Sequence, residues 1–186
     1  MFDPKLKEAL SRVQKPGRYT GGEPGSVYKN KDEVDVRFAF CFPDTYEVGM
    51  SFLGEKILYE LLNSHENWWC ERAFMPWTDM KAQMERLDIP LYCLESKDPL
   101  TDFDIVGFSL EYELCYTNVL AMLRLSGIPL RAADRDERWP LIIAGGPVYA
   151  TPSQWQTSLM SCSLARVSRC CRTSVQPLSR AKAGLG

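Results

Sequence analysis

The segment from Val34 to Asn63 constrains the fold most, because it has the pattern of a strand, a short loop and a helix in that order. Its first part, VDVRFAFCF, is rich in Val and Phe and is bounded by polar residues, which is typical of a buried strand. A loop containing Pro43, Asp44 and Gly49 follows. The last part carries an apolar stripe at helical spacing, made of Met50, Leu53, Ile57, Leu58, Leu61 and Leu62. This unit predicts the start of an open α/β sheet, in which ligands bind at the carboxyl ends of the strands.

Strand and helix patterns continue to alternate up to residue 150. Further strands are predicted at Cys70–Trp77, Pro90–Ser96 (short, at an edge), Asp102–Leu110 and Leu141–Pro147. One helix is predicted to begin at Thr78, with Met80, Met84 and Leu87 on one face. A second helix is predicted to end at Gly127, with Leu114, Val119, Leu120 and Leu123 facing inward. The alternation predicts an α/β fold with an open, doubly wound, mostly parallel sheet of the flavodoxin-like kind, with helices on both faces.

The first 33 residues are predicted to form a separate segment, a helix and an extended arm, that precedes this domain. Asp3 and Pro4 are suited to begin a short helix up to Val13. Lys15–Glu33 contains four glycines and two prolines, which favours an extended, loosely packed arm at the surface. An alternative is that Arg18 and Tyr19 lie across a neighbouring domain. The expected organisation is therefore 1–33, the α/β domain at 34–150, and a tail at 151–186.

The composition is that of a globular protein, 45% hydrophobic and 25% charged. Residues 1–150 hold 17 basic and 24 acidic residues, a balance of −7, which makes nucleic acid an unlikely partner for this part. No apolar run is long enough for a membrane span and the N-terminus lacks a signal core, so the expected location is the cytoplasm. The seven cysteines fall mostly in apolar segments, which indicates buried, reduced thiols.

The candidate site residues follow predicted strands. Asp44, Tyr46 and Gly49 follow the first strand, Ser109 ends the middle strand, and Gly145 and Gly146 follow the last one. Loops at one edge of a parallel sheet face one another, so these residues are expected to form a binding site for a flat ligand. The alternative is that each has a local role, as a helix cap, a backbone partner or a turn.

No catalytic or metal-binding residues are predicted. The Cys and His spacings do not fit a zinc site, and no phosphate-binding loop is present. A single histidine and the lack of G-x-S-x-G argue against a hydrolase triad.

The pattern Asp44-x-Tyr46-x-x-Gly49, Ser109 and Gly145-Gly146 resembles the cobalamin-binding domain, whose motifs are D-x-H-x-x-G, S-x-L and G-G. The resemblance implies a cobalamin-binding-like Rossmann fold and assigns these six residues to cofactor binding. Tyr46 stands where that family has its cobalt-ligating histidine, and Glu111 stands where it has the leucine of S-x-L.

A closer resemblance covers nearly all of residues 10–150. VQKPGRY, FPDTYEVGMSFLG, PWTDM, LESKDPLTDFDIVGFSLEYEL and IAGGP resemble the N-terminal signature of uncharacterised bacterial radical SAM proteins. This resemblance implies an accessory domain whose partner is a downstream radical SAM barrel of the same polypeptide. The 4Fe–4S cluster and S-adenosylmethionine are expected only there, because the chain lacks the C-x-x-x-C-x-x-C loop and is expected to be inactive alone.

Two other functions remain open from the sequence. One is a non-catalytic module that positions a substrate or partner and has lost cobalamin binding, as Tyr46 suggests. The other is a free-standing flavodoxin-like or receiver-like domain. A receiver needs an acidic cluster near the first strand and a lysine at the end of a late strand. Asp32, Glu33 and Asp35 precede the first strand rather than follow it, and no such lysine follows LIIAGG.

The tail at 151–186 differs from the rest of the chain, with no acidic residue and five basic ones. One interpretation is a basic arm for nucleic acid or an acidic partner. The preferred one is a frameshift after about residue 150, because codons exist for residues 150–161 that encode an acidic, family-like segment in another frame. The domain would then lack its last strand and helix, which would leave Leu141–Ala144 as an unpaired edge.

Overall fold

Four strands and five α-helices make up most of the regular structure of residues 3–146, the part of the chain that the computed structural model describes. In chain order they are α1 (Pro4–Leu10), β1 (Val36–Phe42), α2 (Tyr46–Ser51), α3 (Leu53–Asn63), β2 (Trp68–Phe74), α4 (Thr78–Leu87), β3 (Ile105–Ser109), α5 (Cys115–Leu125) and β4 (Leu141–Gly145). Short 3-10 helices lie at Pro16–Tyr19, Leu100–Asp102 and Ala132–Asp134. The predictions for the tail, including the frameshift, fall outside the described residues.

The strands form one parallel sheet in the order β2-β1-β3-β4. Phe38 of β1 is paired with Ile105 of β3, so the two strands predicted to be parallel neighbours are neighbours. The predicted α/β fold with a doubly wound parallel sheet is confirmed. Since the chain leaves β1 towards β2 and later returns past it to β3, the crevice between β1 and β3 is the switch point at which such folds bind ligands.

Each face of the sheet is covered by its own helices. On the side that we call the α3 face, Phe38 and Phe40 of β1 pack with Tyr59 and Leu62 of α3. On the opposite side, the α5 face, Ala39, Cys41, Val106 and Phe108 share one core with residues of α1, α4 and α5. The near-continuous apolar strands follow from this double covering.

The helix predicted after β1 is two helices, and only part of its predicted apolar stripe is buried: Leu62 is buried, and Met50 and Leu58 are partly buried. Phe52 adopts an extended conformation between α2 and α3 and packs its ring at 5.6 Å from Phe42. This break sets the rotation of α3 so that Glu55, Tyr59 and Leu62 face inward. Leu53 and Ile57, expected inside, are 68% and 56% exposed.

Two further predictions about regular structure are wrong. Pro90–Ser96 is not a strand: it contains a single bridge from Tyr92 to Pro99 and runs along the outer edge of β2, where the Leu94 amide donates to the Arg72 carbonyl at 2.7 Å. Leu114 was expected to face inward from α5 but is 75% exposed, because it precedes the first residue of that helix.

The N-terminal arm is packed against the domain, contrary to the loose arm that the glycines suggested. Tyr19 is buried in the main core. The Val27 amide donates to the Tyr59 hydroxyl at 2.8 Å, and its carbonyl accepts from the Trp69 indole at 3.0 Å. The Lys29 ammonium donates to the carbonyls of Asn63, the last residue of α3, and Trp68, the first residue of β2. Side-chain contacts therefore compensate for the weak local propensity of this segment.

Within residues 3–146, no helix is both long enough and apolar enough to span a membrane.

Candidate functional site

The structure brings the loops after β1, β3 and β4 together at the carboxyl edge of the sheet. Asp44 lies two residues after β1, and Ser109 and Gly145 are paired at the last positions of β3 and β4. Sequence reasoning therefore placed these segments correctly at one edge, as the parallel topology requires. What their side chains contact is a separate question.

Asp44 ties three loops together. Its side chain accepts a hydrogen bond from the Tyr112 hydroxyl, beyond β3, and its carbonyl accepts from the Met75 amide, beyond β2, at 2.9 Å. The hydrogen bond to Asp44 is the largest influence that raises the pKa of Tyr112. The Asn118 amide adds a bond to the Pro43 carbonyl at 2.9 Å. Asp44 thus joins neighbouring loops into a platform.

Ser109 and the glycine pair contact the chain itself. The buried Ser109 hydroxyl donates to Glu111 at 2.5 Å, and the Leu110 amide donates to the Gly145 carbonyl at 2.6 Å. Gly146 has a φ of +135°, and a Cβ there would lie 2.1 Å from the Leu110 carbonyl oxygen. Glycine is therefore required at position 146 by its close approach to the backbone after β3.

Tyr46 and Gly49 pack against the end of β2. The Tyr46 ring meets Phe74 edge-on, with centroids 5.5 Å apart. Burial, with a hydrogen bond to Glu23, raises the pKa of Tyr46 to about 12, so its phenol is neutral. A Cβ on Gly49 would lie 2.2 Å from the Phe74 ring, which explains the glycine by packing alone.

A corrinoid arranged as in the cobalamin-binding family does not fit these residues. That arrangement needs open space at the glycines and a loop side chain that can bind cobalt. The space at Gly49 and Gly146 is filled by Phe74 and by the Leu110 backbone, and Tyr46 is a half-buried, neutral phenol that packs on Phe74. The six residues are therefore explained by contacts within the domain.

Arg72, which the sequence analysis missed, is the centre of a buried charge network on the α3 face. Its guanidinium donates to Glu95 at 2.8 Å and to Glu23 at 3.2 Å, and it lies 4.5 Å from the centre of the Tyr59 ring. Its backbone amide also donates to Glu95 at 2.8 Å. The network joins the edge strand β2, the N-terminal arm and the 90–96 segment.

Glu55 lies at the margin of this network, at the first turn of α3. Its side chain is 1% exposed, and neither carboxylate oxygen has a hydrogen-bond partner among the described residues. Burial, reinforced by Glu95 and Glu23 and opposed by Arg72, raises the pKa of Glu55 to about 7. An acid with this pKa is about half protonated at neutral pH.

A second buried pair lies on the α5 face, where Arg37 of β1 donates to Glu71 of β2 at 2.6 Å and pairs with Asp98 at 2.9 Å. The Ser96 amide donates to the same Glu71 at 2.8 Å. The sequence signal for both networks was the adjacent pair Glu71-Arg72 inside an otherwise apolar strand, since charges are buried only when paired.

Exposed apolar side chains follow three adjacent strands at the carboxyl edge. They are Val48 in α2 after β1, Trp77 after β2 and Leu114 after β3. Arg18 lies 5.6 Å from the centre of the Trp77 ring and pairs with Glu47 at 2.7 Å. The arm therefore reaches this edge, where exposed apolar groups lie beside the hydrogen-bonded Asp44 platform.

Metal-ligating groups do not gather anywhere in residues 3–146. Cys41, Cys70, Cys93 and Cys115 are buried and unpaired, as predicted for reduced thiols. Burial raises the pKa of the first three, which favours their protonated form.

The chain matches a known protein family. The family described as radical SAM proteins, N-terminal, matches residues 54–159, more than half of the chain. No curated protein and no solved structure is significantly similar to this chain.

Proposed function

The chain belongs to the radical SAM N-terminal family, and from this premise we propose that it is an accessory domain that positions the catalytic part of a radical SAM protein. In this proposal the 4Fe–4S cluster and S-adenosylmethionine are bound by the downstream barrel. The residues described here supply a docking surface.

The observation that carries the proposal is the set of exposed apolar side chains at the carboxyl edge. Val48, Trp77 and Leu114 follow three neighbouring strands, and the Asp44–Tyr112 bond holds two of the loops together. Exposed apolar groups beside fixed polar groups are typical of a surface that meets another protein surface. A rigid platform binds with a smaller entropic cost than mobile loops.

A corrinoid over the same edge is the second candidate. The strand order favours a ligand at the β1/β3 crevice. The filled space at Gly49 and Gly146 and the neutral phenol of Tyr46 argue against it. We therefore favour the positioning module without cobalt ligation by the loop. The frameshift after residue 150 remains a hypothesis that sequencing of the gene tests.

The docking surface is tested by binding. The chain is titrated with the separately produced downstream part of its radical SAM protein, and the Kd is measured by calorimetry. Leu114→Gln should weaken binding by about fivefold or more, since truncating an interface anchor costs about 1 kcal/mol or more. The matched control is Leu130→Gln, which changes an exposed leucine outside this edge. Equal Kd values for the two variants and the unchanged chain would refute docking through this edge.

The second candidate is tested separately by titrating the chain with hydroxocobalamin and following its absorbance spectrum. Our proposal predicts no change in the spectrum. A shift that indicates a new axial ligand and is lost in Tyr46→Phe would establish the corrinoid instead.

A further inference from the structure

A cleft at the far end of helix α4 is separate from the carboxyl edge. We call it the α4 cleft, and it lies between α1, the end of α4, the N-terminal arm and the 89–99 segment. Helix α4 begins at Thr78 beside the carboxyl edge and is about 15 Å long, so its last residues lie towards the opposite end of the sheet. The volume of the cleft, about 580 Å³, is within the range of small-molecule sites.

The floor of the α4 cleft is apolar. It contains the buried Leu6 and Tyr92 and the partly buried Ile89 and Pro99. The Tyr92 hydroxyl donates to the Tyr19 carbonyl at 3.1 Å, which holds the ring in place. A ligand therefore gains free energy from an apolar body that covers this floor.

One side of the cleft, which we call the acidic wall, is formed by Asp3, Lys5 and Asp88. The ion pair of Glu8 with Arg86, at 2.6 Å, holds α1 beside the last turn of α4, so Asp3 and Asp88 lie at the same end of the two helices. Two carboxylates and one ammonium give this wall a formal charge of −1. The acidic wall therefore favours a cationic group of a ligand.

The other side, which we call the basic wall, is formed by Ser96 and Lys97. The Ser96 hydroxyl accepts hydrogen bonds from the Arg37 guanidinium at 3.2 Å and from the Asp98 amide at 3.0 Å. Because both of its lone pairs are used, the bond that it can still make is a donation. The Ser96 amide donates to Glu71 at 2.8 Å, which fixes the turn. A fixed hydroxyl donor beside an ammonium is suited to bind a carboxylate.

The backbone at Lys97 does not explain why a lysine stands there. Its φ is +68°, in the left-handed region, where glycine or asparagine is usual. The Lys97 ammonium donates to the Leu94 carbonyl, and its charge opposes that of Glu95, which is bound to Arg72. Either this charge balance or a ligand accounts for the lysine, and a variant that keeps the backbone conformation separates the two roles.

We propose that the α4 cleft binds a small zwitterion of the size of a short peptide, with its ammonium group at the acidic wall, its carboxylate at the basic wall and its apolar body on the floor. A molecule that is only anionic or only cationic would meet a like charge at one of the two walls. The inference does not depend on the proposed docking, because both walls lie outside the carboxyl edge.

Binding of three probes to the 186-residue chain tests the proposal. They are leucyl-phenylalanine, its N-acetyl form, which lacks the ammonium, and its C-terminal amide, which lacks the carboxylate. The Kd of each probe is measured by calorimetry. The unmodified dipeptide should bind about tenfold more tightly than either blocked form, since each of its ends forms charge-assisted hydrogen bonds.

Two variants assign each end of the dipeptide to its wall. Asp88→Asn should weaken binding of the unmodified dipeptide about tenfold and leave the Kd of the acetylated form unchanged. Lys97→Asn should weaken the unmodified dipeptide similarly and leave the Kd of the amide unchanged. Asparagine tolerates the left-handed backbone that both positions have. The controls are Glu85→Gln and Lys7→Gln, which remove exposed charges outside the cleft and should change none of the Kd values.

Three results would overturn the proposal. The first is the absence of dipeptide binding at millimolar concentration, and the second is equal Kd values for the asparagine variants and the controls. The third is a Lys97→Asn chain whose unfolding midpoint falls by several degrees while the Kd of the dipeptide is unchanged, since Lys97 would then only balance the buried acids. Asp88 is exposed, so the Asp88→Asn comparison decides the point even where Lys97→Asn does not fold.

Discussion

Replacing Glu55 with glutamine is expected to stabilise the protein at alkaline pH and to have a much smaller effect near pH 5. Glu55 is buried at the first turn of α3 with no hydrogen-bond partner among the described residues, and burial raises its pKa to about 7. In the unfolded chain its pKa returns to 4.5. The folded state therefore binds a proton that the unfolded state releases between these two values, so stability falls as pH rises from about 4.5 to about 7.

The magnitude follows from the difference between the two pKa values. At 1.36 kcal/mol per pKa unit, a difference of about 2.5 units costs about 3 kcal/mol of folding free energy above pH 7. Below pH 4.5 this penalty disappears. Glu55→Gln has a similar shape and no charge, so it removes the penalty at high pH and leaves the unpartnered polar group in place.

The assay is urea unfolding of the two proteins at pH 5 and pH 8.5. The stability advantage of Glu55→Gln should be larger at pH 8.5 by about 2 to 3 kcal/mol. Glu60→Gln, an exposed position on the same helix, is the control and should show no such dependence. An advantage of the same size at both pH values would refute the reasoning.

Two other variants test the packing of the domain. Arg72→Met leaves the buried Glu95 and the half-buried Glu23 without their cation, so urea unfolding should show a loss of about 3 to 5 kcal/mol, whereas Arg138→Met, at an exposed pair, should show almost none. Gly146→Ala should lower the unfolding midpoint by several degrees because its Cβ meets the Leu110 carbonyl, and a midpoint within 1 °C of the original, about the resolution of the melt, would contradict that contact.

The fold was predictable because its strands are buried on both faces. Residues such as Phe38 and Ile105 stand in apolar runs that only a covered parallel sheet explains, and they are paired as expected. Which face of α3 is buried was not predictable from its apolar stripe. The break at Phe52 is a tertiary effect, and it turns Glu55 inward and Ile57 outward.

The candidate site was predicted in position but not in contacts. Topology alone places Asp44 and Ser109 at one edge of the sheet. Whether the space beside a glycine is open or filled depends on side chains that are distant in sequence, such as Phe74 beside Gly49. The arm was wrongly predicted to be loosely packed for a related reason, because the hydrogen bonds that hold Val27 come from Tyr59 and Trp69, which are distant in sequence.

The most direct test of the central claim is amide hydrogen exchange at the carboxyl edge. Exchange is followed by mass spectrometry in the 186-residue chain and in the longer radical SAM protein, for peptides that contain Val48, Trp77 and Leu114. Docking through this edge should slow exchange at all three in the longer protein and leave exchange around Leu130 unchanged. Equal exchange at the edge in the two proteins would contradict the claim that this domain positions the catalytic part through that surface.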